Sequence, residues 1–139
     1  MKYNSFTAIK VQKSSQNYLE AAYDEVEILQ EVAKHISSEE WEKSVKTYFG
    51  KEKSLSNDNT HVVQLLNSFI HNGPNGKHFS MIFEIMGVTL LEIIKRYNYK
   101  GVIIILNYQI PLPYVRIIAK QILVGLDYLH RISGIIHLI

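Results

Sequence analysis

One glutamate limits what this chain can fold into. Residues 18–33 read as a helix. At about 100° per residue, Leu19, Ala21, Ala22, Val26, Ile28, Leu29, Val32 and Ala33 fill one broad side of it, while Glu20, Asp24, Glu27 and Glu31 gather on the other. Glu25 joins neither group: it falls inside the apolar side, flanked by Leu29 and Val32. A carboxylate facing a core needs a cation or hydrogen-bond donors, because an unpaired buried charge is very costly. The nearest upstream candidate is Lys10, near the end of the strand-like residues 6–11. Either Lys10 pairs with Glu25, or Glu25 sits at the rim and reaches water.

A second constraint is Ser80-Met81-Ile82-Phe83-Glu84-Ile85-Met86-Gly87. Residues 81–85 read as a short buried strand running into a glycine, with a helical pattern, residues 90–97, directly after it. Strand-rich sequence precedes this point and helical sequence follows it. Backbone groups that leave a sheet at such a junction are free to bond the edge of a planar ligand.

The remaining segments fit around these two. Ser14-Ser15-Gln16-Asn17 is a polar break able to cap a helix. Residues 34–60 are polar and mixed in charge; residues 39–49 can form a short helix carrying Trp41, Val45 and Tyr48, and the segment reads as a surface insertion. Residues 62–70 and 78–85 read as a hairpin joined by His71-Asn72-Gly73-Pro74-Asn75-Gly76. His61, His71 and His78 flank it without the spacing of a metal site, and solvated histidines are expected. Pro111-Leu112-Pro113 opens a long helix, residues 114–131. Its stripe Val115, Ile118, Ala119, Ile122, Leu126 and Leu129 reads as core that calls for partner helices, with Arg116, Lys120, Asp127 and Arg131 away from it. The 139 residues hold no cysteine, so disulfides and thiolate metal sites are excluded. A net charge of +2 is too small to argue for nucleic acid. The longest aliphatic run, residues 102–106, is far short of a membrane span.

Taken in order, these pieces resemble a eukaryotic protein kinase, and most closely the SR-protein kinases. The runs that carry the resemblance are residues 8–14 (AIKVQKS), 20–30 (EAAYDEVEILQ), 63–69 (VQLLNSF), Gly73 to Gly76 with His78, 81–87, 97–101, 125–130 (GLDYLH) and 134–137 (GIIH). The resemblance implies an α+β fold, a partial kinase fold. Residues 1–86 would be part of the small lobe (antiparallel sheet, the helix bearing the conserved-type glutamate, and the hinge), with 33–60 as an insertion. Residues 87–139 would be the start of the helical large lobe. It implies that Lys10 binds the α- and β-phosphates of ATP and that Glu25 holds Lys10 by an ion pair. Ala8 would cover adenine, Phe83 would be the gatekeeper, and Glu84 and Met86 would offer backbone groups at the hinge. His137 would open the catalytic loop. The family's cofactors are ATP and magnesium and its substrates are Arg-Ser-rich splicing factors, phosphorylated on serine. A location in cytoplasm and nucleus, with no direct nucleic acid or membrane partner, goes with the same resemblance.

The departures are equally specific. No glycine precedes Lys10, and the family's magnesium-binding sequences and activation segment do not occur in these residues. Ile139 stands where the family has the aspartate that accepts the substrate proton. The expectation is therefore a fragment of a Ser/Thr kinase that is itself inactive. The alternatives are a noncatalytic pseudokinase-like binding fragment and an unrelated α+β interaction domain. The ending His137-Leu138-Ile139 is read as a frameshift within a catalytic-loop coding sequence. Residues 102–109 are read as a retained intron, since their removal joins Gly101 to Ile110 and restores the family's run; a genuine loop insertion is the alternative.

Overall fold

The computed structural model describes residues 6–50, 56–97 and 110–136. In chain order these form strand β1 (Ala8–Val11), helix α1 (Gln16–Lys34), helix α2 (Glu39–Phe49), strand β2 (Leu65–Gly73), strand β3 (Gly76–Phe83), helix α3 (Leu90–Arg96) and helix α4 (Leu112–Asp127). A short 3₁₀ turn, Asn57–Thr60, lies between α2 and β2, and a π-helical turn, Tyr128–Ile132, continues α4.

The sheet is antiparallel with β3 between β1 and β2. β2 and β3 form the expected hairpin around Pro74-Asn75. Gly76 closes it at φ 117°, a conformation open to glycine, and a Cβ there would also meet the Ser14 hydroxyl at 3.0 Å. Alternation along β3 sends Phe79, Met81 and Phe83 to one face, where they pack on Ala22 and Val26 of α1. The strand ends at Phe83, two residues short of the expected Ile85. Ala8 and Leu65 both pair with Phe83, so the ladder runs out on both sides at once, and Ile85 is exposed.

The buried line of α1 is narrower than its helical wheel implies. Ala22, Val26 and Val32 are buried, while Ala21, Ile28 and Ala33 are exposed. The sheet covers the first half of α1 along one line and other helices cover its last turns, leaving the flanking positions wet.

Residues 33–60, read as a surface insertion, behave differently from that expectation. Trp41 and Val45 of α2 are fully buried in a core completed by Val32, Val124, Tyr128 and Ile132. The physical reason is spacing: Trp41, Val45 and Tyr48 fall at i, i+4 and i+7, one helical face. The Ser38 hydroxyl caps this helix by accepting from the Trp41 N–H at 3.2 Å. Its charges do lie on the solvent side, with Lys43 paired to Glu39 and Lys46 to Glu42.

α4 also differs. Val124, Gly125, Tyr128 and Ile132 are buried, whereas Val115, Ala119 and Ile122 of the expected core stripe are exposed. At about 100° per residue, the buried line is centred about 115° from the sequence stripe, so the buried face is turned by about a third of a turn, and Leu129 at the edge of the stripe still packs on the core. Close packing fixes that choice. A Cβ at Gly125 would stand 3.4 Å from the carbonyl oxygens of both Thr60 and His61, so the chain after α2 presses on α4 at its glycine. Among the described residues no helix is long and apolar enough to cross a membrane. Residues 102–109 lie outside the described residues.

Candidate nucleotide site

β1 and α1 bring Lys10 to Glu25. The Lys10 ammonium lies 2.7 Å from both carboxylate oxygens, a forked pair spanning strand and helix. The two side chains are 47% and 34% exposed, so the pair sits at the rim of the α1–sheet interface, open to a ligand rather than entombed. Pairing of Ala8 with Phe83 and of Lys10 with Met81 puts these residues opposite one another across β1 and β3. By the two-residue period of a strand, Ala8 and Lys10 share the face on which Met81 and Phe83 meet α1. Ala8, Lys10, Glu25 and Phe83 are thus gathered on one side of the sheet.

Glu84 and Met86 are placed apart from that group. The Glu84 carboxylate accepts the Gln64 N–H at 3.0 Å, which anchors the segment leaving β3. With Val62, Val63, Leu90, Ile118 and Ile122, both residues line a cleft of about 580 Å³ between this segment and α4. Ala8, Lys10 and Phe83 do not line it. Any group held by both sets has to reach over the strand end. The residues after Gly87 turn into α3 through a capping box, in which the Thr89 hydroxyl accepts from the Glu92 N–H and the Glu92 carboxylate accepts from the Thr89 N–H.

A third cluster, unforeseen from the sequence, joins α2 to α4. Arg131 donates through Nε and Nη2 to the two oxygens of Asp127 at 2.8 and 2.6 Å, through Nη1 to Glu40 at 2.5 Å and through Nη2 to the Ser44 hydroxyl at 2.7 Å. The Tyr48 hydroxyl donates to Asp127 at 2.9 Å, and Lys120 donates to the Tyr48 carbonyl at 2.9 Å. The signal available beforehand was Trp41, Val45 and Tyr48 on one face of α2. Hydrogen bonds from Arg131 hold the Asp127 carboxyl below the ordinary carboxylate range against the opposing effect of burial. Burial, reinforced by Asp127, pushes the Tyr48 hydroxyl up. Because the folded-state value of Asp127 is depressed, its contribution to stability is full above its unfolded value near 3.8 and is lost as pH falls through the folded value. Acid titration followed by emission of Trp41, the single tryptophan, is expected to show a transition below that value. In Asp127→Asn the corresponding step is absent; an unchanged acid transition in that variant contradicts the assignment.

Among the described residues, no three His, Asp or Glu side chains come together closely enough to hold a metal ion. His78 places Nδ1 3.0 Å from the Gln12 carbonyl oxygen, and His61 stacks edge-on to Phe49, which accounts for two of the three histidines near the hairpin. His137 and Ile139 lie outside the described residues.

An antiparallel sheet whose lysine pairs with a glutamate on the packed helix, followed by helices beyond the sheet, defines part of a protein-kinase fold. No family model matches the chain. It is 40% identical over 96% of its length to the serine/threonine-protein kinase SKY1 of Saccharomyces cerevisiae, and 43% identical over 94% to the serine/threonine-protein kinase SRPK of Physarum polycephalum. It is 35% identical over 95% to SRSF protein kinase 3 of Mus musculus. The chain belongs to the SR-protein-kinase family. It spans 15%, 24% and 19% of the length of these three relatives.

Proposed function

We propose that these residues form the nucleotide-holding part of an SR-protein-kinase-like serine/threonine kinase. Lys10, kept extended by Glu25, would take the α- and β-phosphates of ATP. Ala8 and Phe83 would bound the adenine, and the backbone at Glu84 and Met86 would bond its edge. The single observation that supports this reading is the forked Lys10–Glu25 contact at 2.7 Å, open at the rim. Fixing a cation where phosphate charge must be neutralised is how this class of site accelerates phosphoryl transfer. Serine residues in Arg-Ser-rich proteins are the substrates we propose for the whole kinase. The chain of 139 residues does not itself complete the reaction, because Ile139 supplies no carboxylate for the substrate proton.

Titration of the chain with ATP tests the binding role. Lys10→Ala is expected to weaken binding about tenfold, the order of one lost charge-assisted contact. Incubation with an Arg-Ser repeat peptide is expected to give no phosphate incorporation above a protein-free control. Equal ATP affinity in the Lys10→Ala variant, or turnover that this variant abolishes, would falsify the corresponding half of the proposal.

A further inference from the structure

We infer that α2, through Trp41 and the Arg131 fork, is a positioning element for the Lys10–Glu25 pair, acting by fastening the far end of α1 to α4. The inference gives α2 a part in the nucleotide site proposed above and takes its functional meaning from that reading.

α1 has 19 residues and is about 28 Å long. The sheet grips it only along its first half, at Leu19, Ala22 and Val26. An exposed ion pair does not hold a helix of that length in one orientation. The second grip is at Val32, about 10 Å beyond Glu25 along the axis. There the Val32 side chain is buried among Trp41, Val45, Val124 and Tyr128, and its carbonyl accepts the Tyr128 hydroxyl at 2.5 Å. Trp41 meets the Tyr128 ring edge-on, with centroids 4.8 Å apart. α2 is in turn fixed to α4 at both ends. Arg131 ties Glu40 and Ser44 at one end, and Lys120 holds the Tyr48 carbonyl at the other. Glu25 lies at the end of the first grip, between Ala22 and Val26, and the second grip fixes the rotation of the helix about that line, so its carboxylate keeps its direction toward Lys10 only while both hold.

The test reads Lys10 directly in the full chain, without nucleotide. Brief acylation with a small amine-reactive reagent, quantified by mass spectrometry, gives the labelling of Lys10 relative to Lys13 on the adjoining segment. Glu25→Gln sets the ratio for a broken pair. Arg131→Met and Tyr128→Phe are each expected to raise the ratio toward that value, by about two- to fivefold, the range an exposed pair allows. Amide protection of β2 and β3 stays as in the unmodified chain, a combination that general loss of structure does not produce. A ratio unchanged in both variants while Glu25→Gln raises it makes α2 a packing element only and overturns the inference. No rise in Glu25→Gln overturns it equally. If Arg131→Met unfolds the chain, Ser44→Ala decides in its place, since it removes one hydrogen bond of the link between α2 and Arg131 and keeps the helix. A chain that binds no ATP yet shows the rise refutes the nucleotide role and leaves the positioning role standing.

Discussion

Trp41→Ala is expected to cost about 3–5 kcal/mol, the range for truncating a buried aromatic side chain. Whole-domain stability is typically about 5–15 kcal/mol, so the variant should be largely unfolded in mild denaturant where the parent chain is folded. The effect is large because Trp41 is 0% exposed and stands between α1 and α4, touching Tyr128 and Tyr48 edge-on. Alanine leaves a cavity bordered by α1, α2 and α4, which are held in place by the Arg131 fork and the Val32–Tyr128 hydrogen bond. Trp41→Phe separates packing from polarity. The indole N–H is buried without a hydrogen-bond partner, a burden of about 1–3 kcal/mol. Removing it offsets much of the lost ring volume, so Trp41→Phe is expected to fall far closer to the parent than to Trp41→Ala. Urea denaturation followed by far-ultraviolet circular dichroism measures both. Equal losses in the two variants would contradict the account of the indole.

The site was more legible in the sequence than the core was. Glu25 announced itself because a carboxylate on an apolar face demands a partner, and the strand before the helix held one at Lys10. The period of 3.6 and the cost of a bare charge left two outcomes, a pair with Lys10 or a place at the rim, and the structure combines them: the pair forms at the rim, with Glu25 34% exposed. The hairpin was legible for a similar local reason, the Gly73-Pro74-Asn75-Gly76 turn. The packing of α2 was harder to see. Its burial depends on three residues, Trp41, Val45 and Tyr48, set in a segment whose many charges make it look solvated, and charge density describes the outer face alone. α4 misled in the opposite direction. Nine of the twelve positions from Leu112 to Leu123 are apolar, so several stripes can be drawn, and the sequence contains no strong local preference among them. The choice is tertiary: Gly125 admits the Thr60 and His61 carbonyls, and Tyr128 reaches Val32. Asp127 and Arg131, which lie away from the sequence stripe, become the link to α2 once the helix is turned that way.

The same rotation of α4 leads to the second large effect. Leu112, Tyr114, Val115, Ile117, Ile122 and Leu123 are all exposed, and Leu90, Leu91 and Ile94 of α3 are exposed as well. Exposed apolar surface on this scale favours self-association in water. Leu123, at 66% exposure, and Ile117 make no part of either buried cluster. Replacing both with glutamate therefore removes sticky surface without emptying a core. Exposed substitutions of this kind alter stability by about 0.5 kcal/mol or less, and glutamate is a good helix former. The double variant Ile117→Glu/Leu123→Glu is expected to remain monomeric at concentrations where the parent chain associates, with an unchanged denaturation midpoint. Sedimentation velocity across a concentration series reads the first and urea denaturation the second. A parent chain that sediments as a monomer throughout contradicts the exposed-face account. A double variant that unfolds means instead that Leu123 is packed or that Ile117, about 20° from Val124 around the helix, extends the buried line toward the N-terminus of α4.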